Sequence, residues 1–169
     1  CLDLSASQVA HCIQELGIGF LFAPQYHGAM KYVAPVRKEI GIYTIFNLLG
    51  PLSNPATVCY QLLGVYHIRL VHLLAAVLAK LGLARALVVH SADGLDEISL
   101  AADTYVSELD DQGNIRDYCI RPEDFGIARQ SLDPLVVSSP QQSLALIEAA
   151  FSGQPGASLD MLALNAGAA

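Results

Sequence analysis

Hydrophobic and polar positions change rhythm along this 169-residue chain, and each change marks a different kind of element. Ser5 ahead of Ala6-Ser7-Gln8 is a helix start, with Val9, Cys12, Ile13 and Leu16 on one face and Gly17 as the stop. The short apolar run at 18–23 then reads as a buried strand ending at Pro24. Residues 27–40 return to helical spacing, with Pro35 starting a new turn or kinking the old one. Residues 44–49 give another short helix, closed by Gly50-Pro51 before an extended connection.

After Pro55 the texture alternates. Residues 58–66 read as strand, 70–81 as helix and 84–90 as strand, the arrangement of a parallel sheet. The runs 104–109 and 115–120 flank Asp110-Asp111-Gln112-Gly113-Asn114 and predict an antiparallel hairpin. Two further helices, at 141–151 and from 156 onward, are separated by the Ser-Gly-Gln-Pro turn at 152–155. The expected class is α/β, a mostly parallel sheet with flanking helices, with a helical segment lying apart from that sheet before Pro55.

Composition narrows the function classes. Hydrophobic residues make up 53% and charged residues only 15%, so a sizeable core is expected, with some surface covered by further chain or a partner. A net charge of −7, with nine Lys and Arg and no basic stripe, argues against a nucleic-acid footprint. Cys1, Cys12, Cys59 and Cys119 have neither CxxC spacing nor a histidine at a zinc-finger interval. They read as small apolar residues in a reducing compartment, without a disulfide. Every apolar run is broken well short of the roughly 20 residues a membrane helix needs, so neither a signal peptide nor a membrane span is expected. The chain opens on Cys1-Leu2 without a Met and closes on a helical composition with no stop signal, so both ends are expected to continue.

The chemistry concentrates in His90-Ser91-Ala92-Asp93-Gly94-Leu95-Asp96-Glu97-Ile98-Ser99. Adjacent carboxylates can share a magnesium ion that keeps several waters and touches a substrate phosphate. On its own the doublet more often marks a solvated acid pair at a helix start. Its position just after the strand pattern at 84–90 puts it where open α/β sheets bind ligands, and Gly94 supports the tight turn. Arg37 carries a fork that can grip a carboxylate bidentately, or it is a surface helix residue paired with an acid. His27 is a candidate on the same segment or a hydrogen-bonded structural histidine. Gly50-Pro51 can serve as a hinge or as a backbone wall for an aromatic ring.

Three stretches together resemble anthranilate phosphoribosyltransferase: Phe20-Leu21-Phe22-Ala23-Pro24 with His27, Ala29 and Met30; Val33-Ala34-Pro35-Val36-Arg37 through Asn54-Pro55; and Asp93-Gly94-Leu95-Asp96-Glu97-Ile98-Ser99. Weaker similarity covers nearly all the rest, including Pro122-Glu123-Asp124-Phe125-Gly126. The resemblance implies a nucleoside phosphorylase/phosphoribosyltransferase-like fold, with residues 1–26 in the α/β domain, 27–55 in a small helical domain and hinge, and 56–169 in the main α/β domain. It implies a cytoplasmic, homodimeric pentosyltransferase of tryptophan biosynthesis that joins anthranilate to phosphoribosyl pyrophosphate. Arg37, His27, Gly50 and Pro51 would then bind anthranilate, Asp96 and Glu97 would hold Mg2+, and no residue is assigned as general acid or base. The family's glycine-rich phosphate loop and its Lys-His-Gly-Asn-Arg segment do not occur in these 169 residues, so this segment alone is expected to be inactive. Gly28, Tyr43 and Ser91 depart from the family pattern, where proline, a basic residue and glycine are common. The alternatives are a non-catalytic nucleic-acid-binding paralogue of the same fold, which the acidic charge opposes, a pyrimidine nucleoside phosphorylase-like enzyme, and a structural segment of an inactive parent.

Overall fold

A computed structural model describes residues 3–26, 28, 39, 41 and 46–169. The chain divides into two compact units, Cys1–Thr57 and Val58–Ala169.

In the first unit, α1 spans Ala6–Leu16. Ser5 accepts from the Gln8 amide while the Gln8 side chain accepts from the Ser5 amide, a reciprocal cap that satisfies two otherwise orphaned donors. Gly17 ends the helix at φ 75°, a left-handed position that suits glycine. The buried strand expected at 18–23 is absent. Residues 18–22 have no regular structure, and Ile18 and Phe20 are 73% and 65% exposed. The rings of Phe20 and Phe22 stack on each other, centroids 6.4 Å apart. Among the described residues the run has no neighbouring strand to complete a ladder, and an apolar run alone does not make a strand. A single turn, α2 (Ala23–Tyr26), follows.

Helix α3 spans Phe46–Leu52, so Gly50-Pro51 lies inside the helix instead of closing it. Proline in a last turn removes only a hydrogen bond near the frayed end, and Ser53 N–H donates to the Gly50 carbonyl at 3.1 Å to complete that end. Of the helix expected at 27–40, all but residues 28 and 39 lie outside the described residues.

The second unit is built on a four-stranded sheet in the order β1-β2-β3-β4: β1 (Tyr60–Gly64), β2 (Arg85–Ser91), β3 (Thr104–Leu109) and β4 (Ile115–Ile120). β1 and β2 are parallel because the helix α4 (Arg69–Lys80) carries the chain back between them. β2–β3 and β3–β4 are antiparallel. The α/β class stands, but the sheet is mixed, and among the described strands its parallel part is the β1–β2 pair. The connection 92–103 contains no helix, so the chain re-enters beside β2 in the opposite direction, pairing Ser91 with Thr104. The hairpin turn expected between β3 and β4 is present. Asp110 Oδ1 accepts from the Gln112 and Asn114 amides, and Gly113 takes φ 82°.

α4 covers one sheet face, burying Val71, Leu74, Ala75 and Leu78 at helical spacing against β2 and β3. Each buried leucine there contributes about 1.5–3 kcal/mol of hydrophobic stabilisation. The opposite face carries a second cluster of Val89, Ile98, Leu100, Val106, Ala157 and Leu164. It is closed by α6 (Ala157–Ala168), against which α5 (Pro140–Phe151) packs. Ile98 and Leu100 are the apolar residues that root the acidic loop in this core. No helix among the described residues is long and apolar enough to cross a membrane.

Candidate functional site

The loop 92–103 leaves the carboxyl end of β2 and folds over the carboxyl end of the parallel strand β1. Its base is closed by the Ala92 amide on the Asp103 carbonyl at 2.9 Å. Arg129 supports that base through Asp103 at 2.5 Å and Glu123 at 3.0 Å. Within the loop a tight turn forms: Gly94 N–H donates to the Ser91 carbonyl and Ser91 N–H to the Leu95 carbonyl, both at 2.9 Å. Gly94 has φ 96°, which side chains resist, so the glycine is required by the turn. Asp93 works inside the loop, accepting from the Leu95 amide and from the Ser99 hydroxyl at 2.5 Å. That leaves Asp96 and Glu97 as the outward-facing acids.

Below the doublet lies a small hydroxyl web. The buried Ser91 hydroxyl donates to the Glu97 carbonyl at 2.6 Å and sits 2.6 Å from the Thr104 hydroxyl; both oxygens also receive the Ser99 amide. Ser91 stands where glycine is common in the family it resembles, and its side chain here fixes the backbone of the acidic loop. Two further residues hold this segment. The Cα of Gly64 lies so close to the Asp96 carbonyl that a Cβ at position 64 would meet that oxygen at 1.5 Å. Asn165, on α6, accepts from the Ile98 amide at 2.9 Å and donates to the Ile98 carbonyl at 3.0 Å. Neither Gly64 nor Asn165 was singled out by sequence reasoning. A glycine within a strand pattern and a lone amide among Leu and Ala on a helix were the available signals.

The Asp96 and Glu97 side chains are exposed, and neither has a hydrogen-bond or ion-pair partner among the described residues. Partial burial raises the Glu97 carboxyl above its ordinary 4.5, and the charge of Asp96 raises it further. Two unpaired oxygen donors that repel each other form a demand that a hard divalent cation meets. Among the described residues no group of three or more His, Cys, Asp or Glu could enclose a metal. Two carboxylates with open positions left for water and phosphate oxygens fit the habit of Mg2+, which is seldom caged by protein alone. Beside Glu97 an apolar cavity of about 410 Å3 opens between α5 and α6, lined by Leu146, Ile147, Phe151 and Met161.

The other expected site residues divide differently. His27 and Arg37 lie outside the described residues. Gly50 and Pro51 sit half-buried in α3, and a Cβ added at Gly50 would meet no atom within 4 Å among the described residues.

The whole chain, residues 1–169, matches the family described as glycosyl transferase family, a/b domain. It is 53% identical over 168 residues to an anthranilate phosphoribosyltransferase of Alkalilimnicola ehrlichii, covering 99% of this chain and 49% of that protein. Among solved structures, anthranilate phosphoribosyltransferase from Thermus thermophilus superposes with a TM-score of 0.83 at 42% identity, covering 95% of this chain and 47% of that one. The Saccharomyces cerevisiae enzyme in complex with phosphoribosyl pyrophosphate (PRPP) and Mg superposes with a TM-score of 0.71 at 30% identity, covering 82% and 40%. The chain thus spans about half the length of the curated relatives it matches. By sequence along its entire length and by the sheet that carries its acidic loop, the chain belongs to the glycosyl transferase family, within its α/β domain.

Proposed function

We propose that the protein carrying this chain is an anthranilate phosphoribosyltransferase, which transfers the phosphoribosyl group of PRPP to the amine of anthranilate in tryptophan biosynthesis. The observation that carries the reading is the Asp96-Glu97 doublet, unpaired among the described residues and held at the carboxyl end of two parallel strands. In this reading Asp96 and Glu97 hold Mg2+, which when bound offsets the negative charge of the departing pyrophosphate. The new bond joins the amine nitrogen to the anomeric carbon. The bond from that carbon to the pyrophosphate oxygen breaks, pyrophosphate leaves with the electron pair, and the amine gives up one proton.

An aromatic amine is already a neutral nucleophile, so holding the two reactants in line contributes more than a strong base would. Arg37 is assigned to the anthranilate carboxylate, His27 to the path it follows, and Gly50-Pro51 to a backbone wall beside its ring. No residue is assigned as general acid or base. Residues 1–26 and 56–169 belong in this reading to the α/β domain and 27–55 to a small helical domain with a hinge, through which two copies form a cytoplasmic homodimer.

Anthranilate fluorescence provides the test. The intact protein containing this chain is expected to consume anthranilate only when PRPP and Mg2+ are both present, and not to cleave uridine with phosphate or to retain labelled DNA. No loss of anthranilate under saturating conditions, or phosphorolysis of uridine in its place, would overturn the reading.

A further inference from the structure

The peptide planes on both sides of Glu97 are fixed by contacts from β1, β2 and α6. The Asp96 carbonyl abuts the Gly64 Cα, the Glu97 carbonyl accepts from Ser91 Oγ at 2.6 Å, and the Ile98 amide donates to Asn165 Oδ1 at 2.9 Å. Asn165 also donates to the Ile98 carbonyl at 3.0 Å, so one side-chain amide matches both backbone groups of Ile98 as a neighbouring strand would. Its own helix is firmly seated. Ala157 and Leu164 are buried in the core, and Asp160 accepts from Gln130 at 2.8 Å. The two carboxylates have no protein partner among the described residues, so this backbone is what sets the positions from which both side chains project.

We infer that Asn165 is a positioning residue for the Asp96-Glu97 pair, acting from α6 by clamping Ile98 so that both carboxylates are presented to one cation. The inference deepens the proposed function and rests on it, in that the cation is the Mg2+ of the phosphoribosyl donor. Groups that orient the ligands of a metal are typically worth 10- to 100-fold in affinity. An amide that merely satisfied a buried backbone would affect stability and leave metal affinity alone.

The experiment compares four forms of the intact protein: wild type, Asn165→Ala, Met161→Ala and the double variant Asp96→Asn/Glu97→Gln. Met161 lies one turn before Asn165 on α6 and packs against the same core with an apolar side chain, so it controls for loss of stability. Mn2+ affinity is read by electron paramagnetic resonance with PRPP present, and exchange of the Ile98 amide is read by NMR without metal. Asn165→Ala is expected to speed exchange at Ile98 and to weaken Mn2+ binding about 10-fold or more, with the KM for anthranilate unchanged. Met161→Ala is expected to lower the melting temperature with wild-type Mn2+ affinity.

Wild-type Mn2+ affinity in Asn165→Ala, alongside lost affinity in the double variant, overturns the positioning role and leaves the metal site standing. Wild-type affinity in the double variant removes the metal site and the positioning role together. Equal loss of affinity in Met161→Ala and Asn165→Ala also overturns the inference, since stability alone would then explain it.

Discussion

Adding one methyl group at Gly64 is the sharpest perturbation this fold offers. A Cβ there would lie 1.5 Å from the Asp96 carbonyl oxygen and 2.6 Å from its carbon, and both are backbone atoms that cannot rotate away. Ordinary contacts sit near 3.5 Å, so either the loop or β1 must move by about 2 Å. Alanine is slightly better than glycine in a strand, by roughly 0.5–1 kcal/mol. Overpacking of a fixed contact costs about 1–3 kcal/mol, and a backbone neighbour puts this case at the upper end. The net is a destabilisation of about 2 kcal/mol, or a fall of about 4–8 °C in melting temperature for a domain of this size. Function should suffer more, because a misplacement of about 1 Å can cost roughly 100-fold in rate. Gly64→Ala in the intact protein is therefore expected to lose at least about 100-fold in magnesium-dependent turnover. Gly167→Ala serves as the control, since a Cβ there meets nothing within 4 Å and the helix should tolerate or welcome it. The melt is followed by circular dichroism and turnover by anthranilate fluorescence. A Gly64→Ala protein with unchanged melting temperature and unchanged magnesium dependence would refute the close approach of strand and loop.

Three other outcomes follow from particular contacts. Hydrogen bonds from Arg129 lower the Asp103 and Glu123 carboxyls below their ordinary 3.8 and 4.5, so their contribution to stability is present above about pH 4.5 and is lost as pH falls through the lowered values. Urea midpoints measured from pH 6 to 2.5 should show a decline that is shallower in Arg129→Gln, and parallel curves would contradict it. Ser139→Ala removes the oxygen that caps α5 through the Gln142 amide, so chemical denaturation should show a loss of about 1 kcal/mol, with no loss meaning that water replaces the cap. The 169-residue chain by itself is expected not to form phosphoribosyl anthranilate, because it holds no glycine-rich cradle for the donor phosphates; steady turnover abolished by Arg37→Ala would contradict this.

Where local chemistry decided the structure, the sequence was legible. The hairpin strands Thr104–Leu109 and Ile115–Ile120 fall where their patterns placed them because Asp110, Gly113 and Asn114 dictate the turn between them. The start of α1 followed from Ser5 and Gln8, and α4 from its 3.6-residue apolar spacing. Long-range partners decided what was missed. The run 18–23 looks like strand in isolation, but a strand needs a neighbour, and Ile18 and Phe20 face solvent. Gly50-Pro51 looks like a stop, but proline in a last turn costs little. The apolar run of β2 suits parallel and antiparallel neighbours equally, so the mixed sheet could not be read from it. At the site, Asp96 and Glu97 announced themselves by type and by the glycine turn before them. Their supports did not, since Asn165 meets Ile98 across 67 residues of chain and Gly64 is defined by what it lacks.

The central claim is that Asp96 and Glu97 hold the magnesium on which phosphoribosyl transfer to anthranilate depends. The most direct measurement is the initial rate of anthranilate consumption by the intact protein, titrated with Mg2+ at saturating PRPP, for wild type and for Asp96→Asn/Glu97→Gln. The fold should survive, because neither carboxylate has a partner to lose among the described residues. The account predicts a saturable magnesium dependence in the wild type and a loss of about 100-fold or more in the variant, since neutral amides cannot offset the charge of the metal they must hold. Superimposable magnesium titrations for the two proteins would contradict it.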